Sequence, residues 1–113
     1  MNSKLLKDFF LIGDQTFLPH VSVDSVIFGF HDDQLKVLLL KWEGGAWCLP
    51  GGFVKHDESV DDSAVRILHE RTGLENIYLQ QFHTFGDPAR EKGKKIAPAK
   101  SWINKRFITI GYY

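Results

Sequence analysis

The chain has 113 residues, 43% of them hydrophobic and 13% aromatic, with 14 acidic and 14 basic side chains and no formal net charge. That composition excludes a fibrous or disordered chain and fits one globular domain with a modest core. Electrical neutrality removes any global attraction to nucleic acid or to an anionic membrane. Only a local basic patch is left, for which Arg90, Lys92, Lys94 and Lys95 are the candidates.

The N-terminal residues 1–12 read as an amphipathic helix with Leu5, Phe9 and Ile12 on one face, broken at Gly13-Asp14. The stretch is too short and too charged for a membrane span or a signal core. Val21 to Phe30 is β-branched and partly alternating, which suits a strand. His31-Asp32-Asp33 is turn chemistry, and Leu35 to Trp42 reads as a second strand with a continuous apolar middle, as when both faces are covered. Gly44-Gly45 opens a loop that leads into Trp47-Cys-Leu-Pro-Gly-Gly-Phe-Val54.

Cys48, the single cysteine, rules out an internal disulfide and suits a reducing compartment, so a cytoplasmic protein is expected. Between Trp47 and Leu49 it reads as a small packed hydrophobe, and Trp47 as core. A helix is expected over Ser59–Thr72. Ser59 and Asp62 make a capping-box-like start, His69 and Arg71 suit the last turn, and Gly73 is the stop. Val60, Ala64 and Leu68 give its core stripe. Ile77–Phe85 and Arg106–Tyr113 read as strands around a long basic loop, residues 86–104. Strands, loop, helix and strands in that order argue an α+β domain with a mixed sheet. The five histidines, His20, His31, His56, His69 and His83, have no metal-ligand spacing and are expected mostly on the surface.

One spacing is specific. Gly52, Glu58, Arg66, Leu68, Glu70, Gly73 and Leu74 fall on the pattern G-x5-E-x7-R-E-U-x-E-E-x-G-U, where U is bulky and apolar, with Leu49-Pro50-Gly51-Gly52 leading in. The chain thus resembles the Nudix family over residues 20–113, with residues 1–19 as an N-terminal extension. The resemblance implies an α/β/α sandwich around a mixed sheet. It also implies at least one more strand and a second helix, so the chain is expected to be truncated at its C-terminal end, with an exposed apolar edge and a possible homodimer. Gly52, Glu58, Arg66, Glu70 and Gly73 are then structural members of the box, with Glu58 and Arg66 tying the loop to the helix.

Two departures matter for chemistry. The family's first Glu after the Arg is Ile67 here, and the second of its Glu pair is Arg71. Positions 67, 70 and 71 share one helix face. In a typical member this face holds magnesium or manganese against a diphosphate; here its formal charge rises from minus three to zero. Hard cations need several oxygen ligands, and a lone Glu70 beside Arg71 is expected to form a salt bridge. Gly51 and Gly52 permit close approach of a ligand.

The run Arg66 to Leu74, Gly51-Gly-Phe-Val54 and Thr84-Phe-Gly-Asp-Pro-Ala-Arg90 resemble the Nudix-related transcriptional regulators. There an effector domain for an ADP-ribose-like nucleotide or a sugar precedes a winged-helix DNA reader, and no such reader is expected within residues 1–113. That resemblance implies a sensor needing no cofactor, with Gly51, Gly52, Phe53, Arg71 and Arg90 as ligand-binding residues and Arg71 in the metal's place on the phosphate. DNA would be reached only through a missing C-terminal domain, and no membrane is involved. The alternative is a pyrophosphohydrolase of a nucleoside diphosphate derivative using Mg or Mn. Glu70 would be catalytic and Glu58 and Glu70 the metal ligands, with Asp57, Asp87 or Glu91 recruited. A third reading is an interaction module with no small ligand.

Overall fold

A computed structural model describes residues 3–42, 44–91 and 101–113, except for the side chains of Arg90 and Glu91. The basic candidates Lys92, Lys94 and Lys95 and the side chain of Arg90 lie outside the described residues. The order is helix α1 (Ser3–Ile12), strands β1 (Phe17–Ser25), β2 (Phe28–His31), β3 (Gln34–Val37), β4 (Leu40–Lys41), β5 (Trp47–Cys48) and β6 (Gly51–Lys55). Helix α2 (Val60–Thr72), β7 (Gln81–Phe85) and β8 (Ile108–Tyr112) follow. Short 3-10 turns stand at Gly13–Gln15, Pro88–Glu91 and Trp102–Asn104.

Four strands form a mixed sheet in the order β6-β1-β8-β7: β1 runs antiparallel to β6 and parallel to β8, and β7 is antiparallel to β8. Because side chains alternate across a strand, the pairings Val23↔Gly52, Val23↔Ile110 and Ser25↔Tyr112 set Val23, Ser25, Gly52, Val54, Ile110 and Tyr112 on one face. Helix α2 covers that face, and Val23, Val54, Ala64, Ile67 and Tyr112 form the core. The Tyr112 hydroxyl donates to Asp61 in the first turn of α2. Burial, and then the Asp61 carboxylate, push the phenol upward in pKa.

Helix α2 starts and stops where its sequence says. The Ser59 hydroxyl accepts from the Asp62 amide at 3.0 Å, and Gly73 closes the helix in the left-handed region at φ 75°. The helical stripe is wider than Val60, Ala64 and Leu68, because Ser63 and Ile67 are also buried.

The opposite sheet face carries Ser22, Asp24, Gly51, Phe53 and Thr109, by the pairings Ser22↔Phe53, Asp24↔Gly51 and Ser22↔Thr109. Part of it is covered by α1 and the turn at Trp102. The Trp102 indole N–H donates to the Phe9 carbonyl at 2.8 Å and the Ser101 hydroxyl to the Phe10 carbonyl at 2.6 Å. The Phe9 ring meets Phe17, Phe53 and Trp102. Leu5 and Ile12 stay exposed, so α1 is held by Phe9 and Phe10 and not by the whole stripe read from its sequence.

Three strand expectations need correction. Val21–Phe30 is two strands, since the chain leaves the main sheet at Val26-Ile27 and enters a separate hairpin. Its turn is Asp32-Asp33, both at positive φ (53° and 59°), the geometry of a two-residue type I′ turn. Leu35–Trp42 is likewise divided into β3 and β4, and its apolar run is only partly covered: Leu35 is 69% exposed, while Leu38 and Leu40 are half-buried. Regular pairing in β7 begins at Gln81, after Gln80 and Tyr113 exchange backbone hydrogen bonds. The last strand, β8, lies inside the sheet, so the exposed edge belongs to β7.

Replacing Trp102 with Ala is expected to cost about 3–5 kcal/mol, the usual loss for a buried aromatic, and to release α1. Urea denaturation and accelerated tryptic cleavage at Lys4 and Lys7 are the measurements.

Candidate functional site

A cleft of about 930 Å³ opens on the sheet face opposite the core. Its floor is that face itself: Ser22 and Asp24 from β1, Gly51 and Phe53 from β6, and Thr109 from β8. Helix α2 reaches it around the edge strand β6 with Arg66, Ile67, Glu70 and Arg71. Phe9, Trp42, Cys48, Pro88, Lys105, Arg106 and Phe107 stand along its walls.

The box residues that ionise are already engaged. Arg66 donates from Nε to both Glu58 oxygens (2.9 and 3.1 Å) and from its second terminal nitrogen to Glu58 Oε1 at 2.6 Å and the Phe53 carbonyl at 2.8 Å. The Lys55 amide also donates to Glu58 Oε1 at 2.9 Å. Hydrogen bonding to Arg66 holds the Glu58 carboxyl below the ordinary carboxylate range, and Glu58 in turn raises the Arg66 guanidinium. Glu58 does not line the cleft; its charge is spent joining the β6 end to α2.

Glu70 pairs with Arg66 at 3.2 Å across one helical turn. The salt bridge expected between Glu70 and Arg71 is therefore not the one made. Neighbours in sequence point about 100° apart around a helix, whereas positions four apart are stacked. Arg71 turns instead to the strand, its Nε donating to the Gly51 carbonyl at 3.2 Å. Ile67, one of the lost carboxylate positions, is only 2% exposed and belongs to the core. A β-carbon on Gly52 would come within 3.2 Å of its Cδ1 and Cγ1. Gly51 is equally constrained: a β-carbon there would collide with the Asp24 carboxylate and stand 3.0 Å from the Val23 carbonyl.

Of the residues read from sequence as ligand-binding, Gly51, Gly52, Phe53 and Arg71 come together in the cleft, with Glu70 beside them. Of the acids considered for recruitment, Asp57 is exposed and Asp87 accepts from the Ala89 amide at 2.8 Å, neither lining the cleft, and the Glu91 side chain lies outside the described residues. Among the described residues no three His, Cys, Asp or Glu side chains converge to hold a metal ion. The carboxylates at the described box positions thus do not make the set of several oxygens that a hard divalent cation needs at once.

Cys48 is half-buried on the cleft wall and receives the Trp42 indole N–H. Trp47 is not core: it is 61% exposed, with the Lys41 ammonium 5.3 Å from its ring centroid. Phe9, Ser22, Asp24, Trp42, Lys105, Arg106 and Phe107 were not among the expected site residues. For Ser22 and Asp24 a signal existed, since they alternate with Val21 and Val23 in one strand.

The chain belongs to the NUDIX domain family, whose model matches residues 18–111. It is 35% identical over 79 residues to the ADPR responsive transcriptional repressor NtrR of Acinetobacter baylyi, a match covering 65% of this chain and 32% of that protein. It is 40% identical over 77 residues to an ADP-ribose pyrophosphatase of Methanocaldococcus jannaschii, covering 65% of this chain and 43% of the relative. The NUDIX domain of Shewanella oneidensis NrtR complexed with ADP ribose superposes with a TM-score of 0.63 at 30% identity, covering 99% of this chain and 69% of that one. The chain therefore spans less than half of either full-length relative. It is related both to NrtR-type regulators and to ADP-ribose pyrophosphatases.

In the unfolded chain Glu58 titrates in the ordinary range near about 4.3, and in the fold it titrates lower. The stabilisation it gives is complete above that range and is lost as pH falls through the folded value. Glu58→Gln is expected to destabilise the domain at pH 7 by about 1–3 kcal/mol. Urea titrations should show that the deficit shrinks below about pH 4.3.

Proposed function

We propose that this domain is an effector-binding module of a transcriptional regulator, holding an ADP-ribose-like nucleotide without cleaving it. The observation that carries this reading is the state of the helix face at positions 67, 70 and 71. Ile67 is packed into the core, Glu70 is tied to Arg66, and Arg71 presents a guanidinium beside Gly51. A face of that kind offers a diphosphate a hydrogen-bonding cation in place of a metal, and guanidinium matches phosphate with paired donors. It does not supply the clamp and activated water of metal-assisted hydrolysis. The sensor reading needs no cofactor.

The Acinetobacter relative, by its name a repressor responsive to ADPR, and the Shewanella domain in complex with ADP ribose support the same ligand class. In this reading DNA is contacted by a further winged-helix domain joined to this one, and a homodimer couples the two. Arg90 is proposed as a further phosphate contact. Among the described residues no helix is long and apolar enough to cross a membrane.

The alternative reading, a Mg- or Mn-dependent pyrophosphohydrolase, is favoured by the Methanocaldococcus relative. Calorimetric titration with ADP-ribose, with and without magnesium, followed by analysis of the recovered ligand, separates the two. The expected result is binding of intact ligand without metal, weakened on the order of tenfold in Arg71→Ala, as for a hydrogen bond to a charged group. Cleavage that appears only with metal would reject the sensor in favour of the hydrolase.

A further inference from the structure

The cleft is chemically divided along β6. Gly51 and Phe53 are two residues apart on the same face of the strand, about 7 Å. At the Gly51 end stand the Arg71 guanidinium, the Asp24 carboxylate and the Gly51 carbonyl. At the Phe53 end stand rings. Phe53 meets Phe107 with centroids 5.6 Å apart, Trp102 at 4.8 Å and Phe9 at 6.5 Å, the first two edge to face. Phe9, Phe53 and Phe107 all line the cleft.

Phe9 is the informative member. It belongs to α1, which precedes the residues matched by the family model, 18–111. The helix is nonetheless fastened to the domain by the bonds from Trp102 and Ser101 to the Phe9 and Phe10 carbonyls. An amphipathic helix tied down at the very residue that lines the cleft is built into the site. Rings that line a cleft offer another flat ring edge-to-face or offset-stacked contact, while at the polar end two residues away the Arg71 guanidinium suits phosphate and the Asp24 carboxylate suits a sugar hydroxyl.

Resting on the reading of the cleft as a nucleotide site, we propose that the aromatic end is the seat of the ligand's purine base. Phe9 is then the residue by which the N-terminal helix sets preference for base-bearing ligands over base-less sugar phosphates. Asp24, Arg71 and Gly51 take the other end of the molecule.

The test compares ADP-ribose with ribose 5-phosphate by calorimetry on the whole chain, in the wild type, Phe9→Ala and Phe9→Leu. Leucine keeps the apolar mass that anchors α1 and removes the ring face, so it serves if the alanine variant does not fold. Loss of one base-stacking contact should lower the selectivity for ADP-ribose over ribose 5-phosphate about tenfold in Phe9→Ala, with a smaller loss in Phe9→Leu. Unchanged selectivity in a folded variant overturns the placement of the base and leaves the nucleotide site standing. A wild-type chain that binds neither compound overturns both.

Discussion

The guanidinium of Arg66 is the joint around which the site is assembled. It grips both oxygens of Glu58, the Phe53 carbonyl on β6 and, one turn along α2, the Glu70 carboxylate. A planar group with donors at fixed angles can satisfy such a set only in one arrangement of strand, loop and helix. Through it α2 is set against the edge strand, Ile67 comes to rest on Gly52, and Arg71 reaches Gly51. The same bonds consume the charge of Glu58 and part of that of Glu70, so the fold is secured with carboxylates that a metal site would otherwise use.

The sheet divides its labour between its faces. One face, with Val23, Val54 and Tyr112, is sealed by α2 and supplies the stability. The other is lined by hydroxyls, an acid and aromatic rings, and is only partly covered by α1 and the Trp102 turn. The floor is polar but satisfied: the buried hydroxyls of Ser22 and Thr109 bond each other at 2.8 Å. A floor that is satisfied without a ligand stays in place when the cleft is empty, which is the condition for a preformed pocket.

What was legible in the sequence was local or motif-bound. Helix α2 with Ser59 and Gly73, the Asp32-Asp33 turn and the cluster Gly51, Gly52, Phe53 and Arg71 follow from capping, turn chemistry and box spacing. The rest depended on tertiary position. Leu35 to Leu40 has the apolar run of a covered strand, but Leu35, Val37 and Leu39 are exposed and only Leu38 and Leu40 are half-buried, and periodicity carries no information about neighbours. Ile67 reads from spacing as a member of the cleft face and does touch the cleft, yet most of its bulk is drawn into the core beside Val23 and Val54. Phe9 became part of the site through a carbonyl bonded to Trp102, a pairing 93 residues apart that no local pattern encodes.

The β2–β3 hairpin has a bearing on how the molecule behaves in bulk. Its side chains, Phe28, Phe30, Leu35 and Val37, are exposed on a two-stranded ribbon, while the whole chain carries no net charge near neutrality. Long-range repulsion between molecules is then weak while apolar surface on this ribbon is open to solvent. The acidic pair at the hairpin tip, Asp32 and Asp33, lies next to that surface and supplies a local charge of one sign. The ribbon, none of whose strand residues lines the cleft, is thus one place where molecules can meet, and a solvent pH away from neutrality restores the repulsion that the composition withholds.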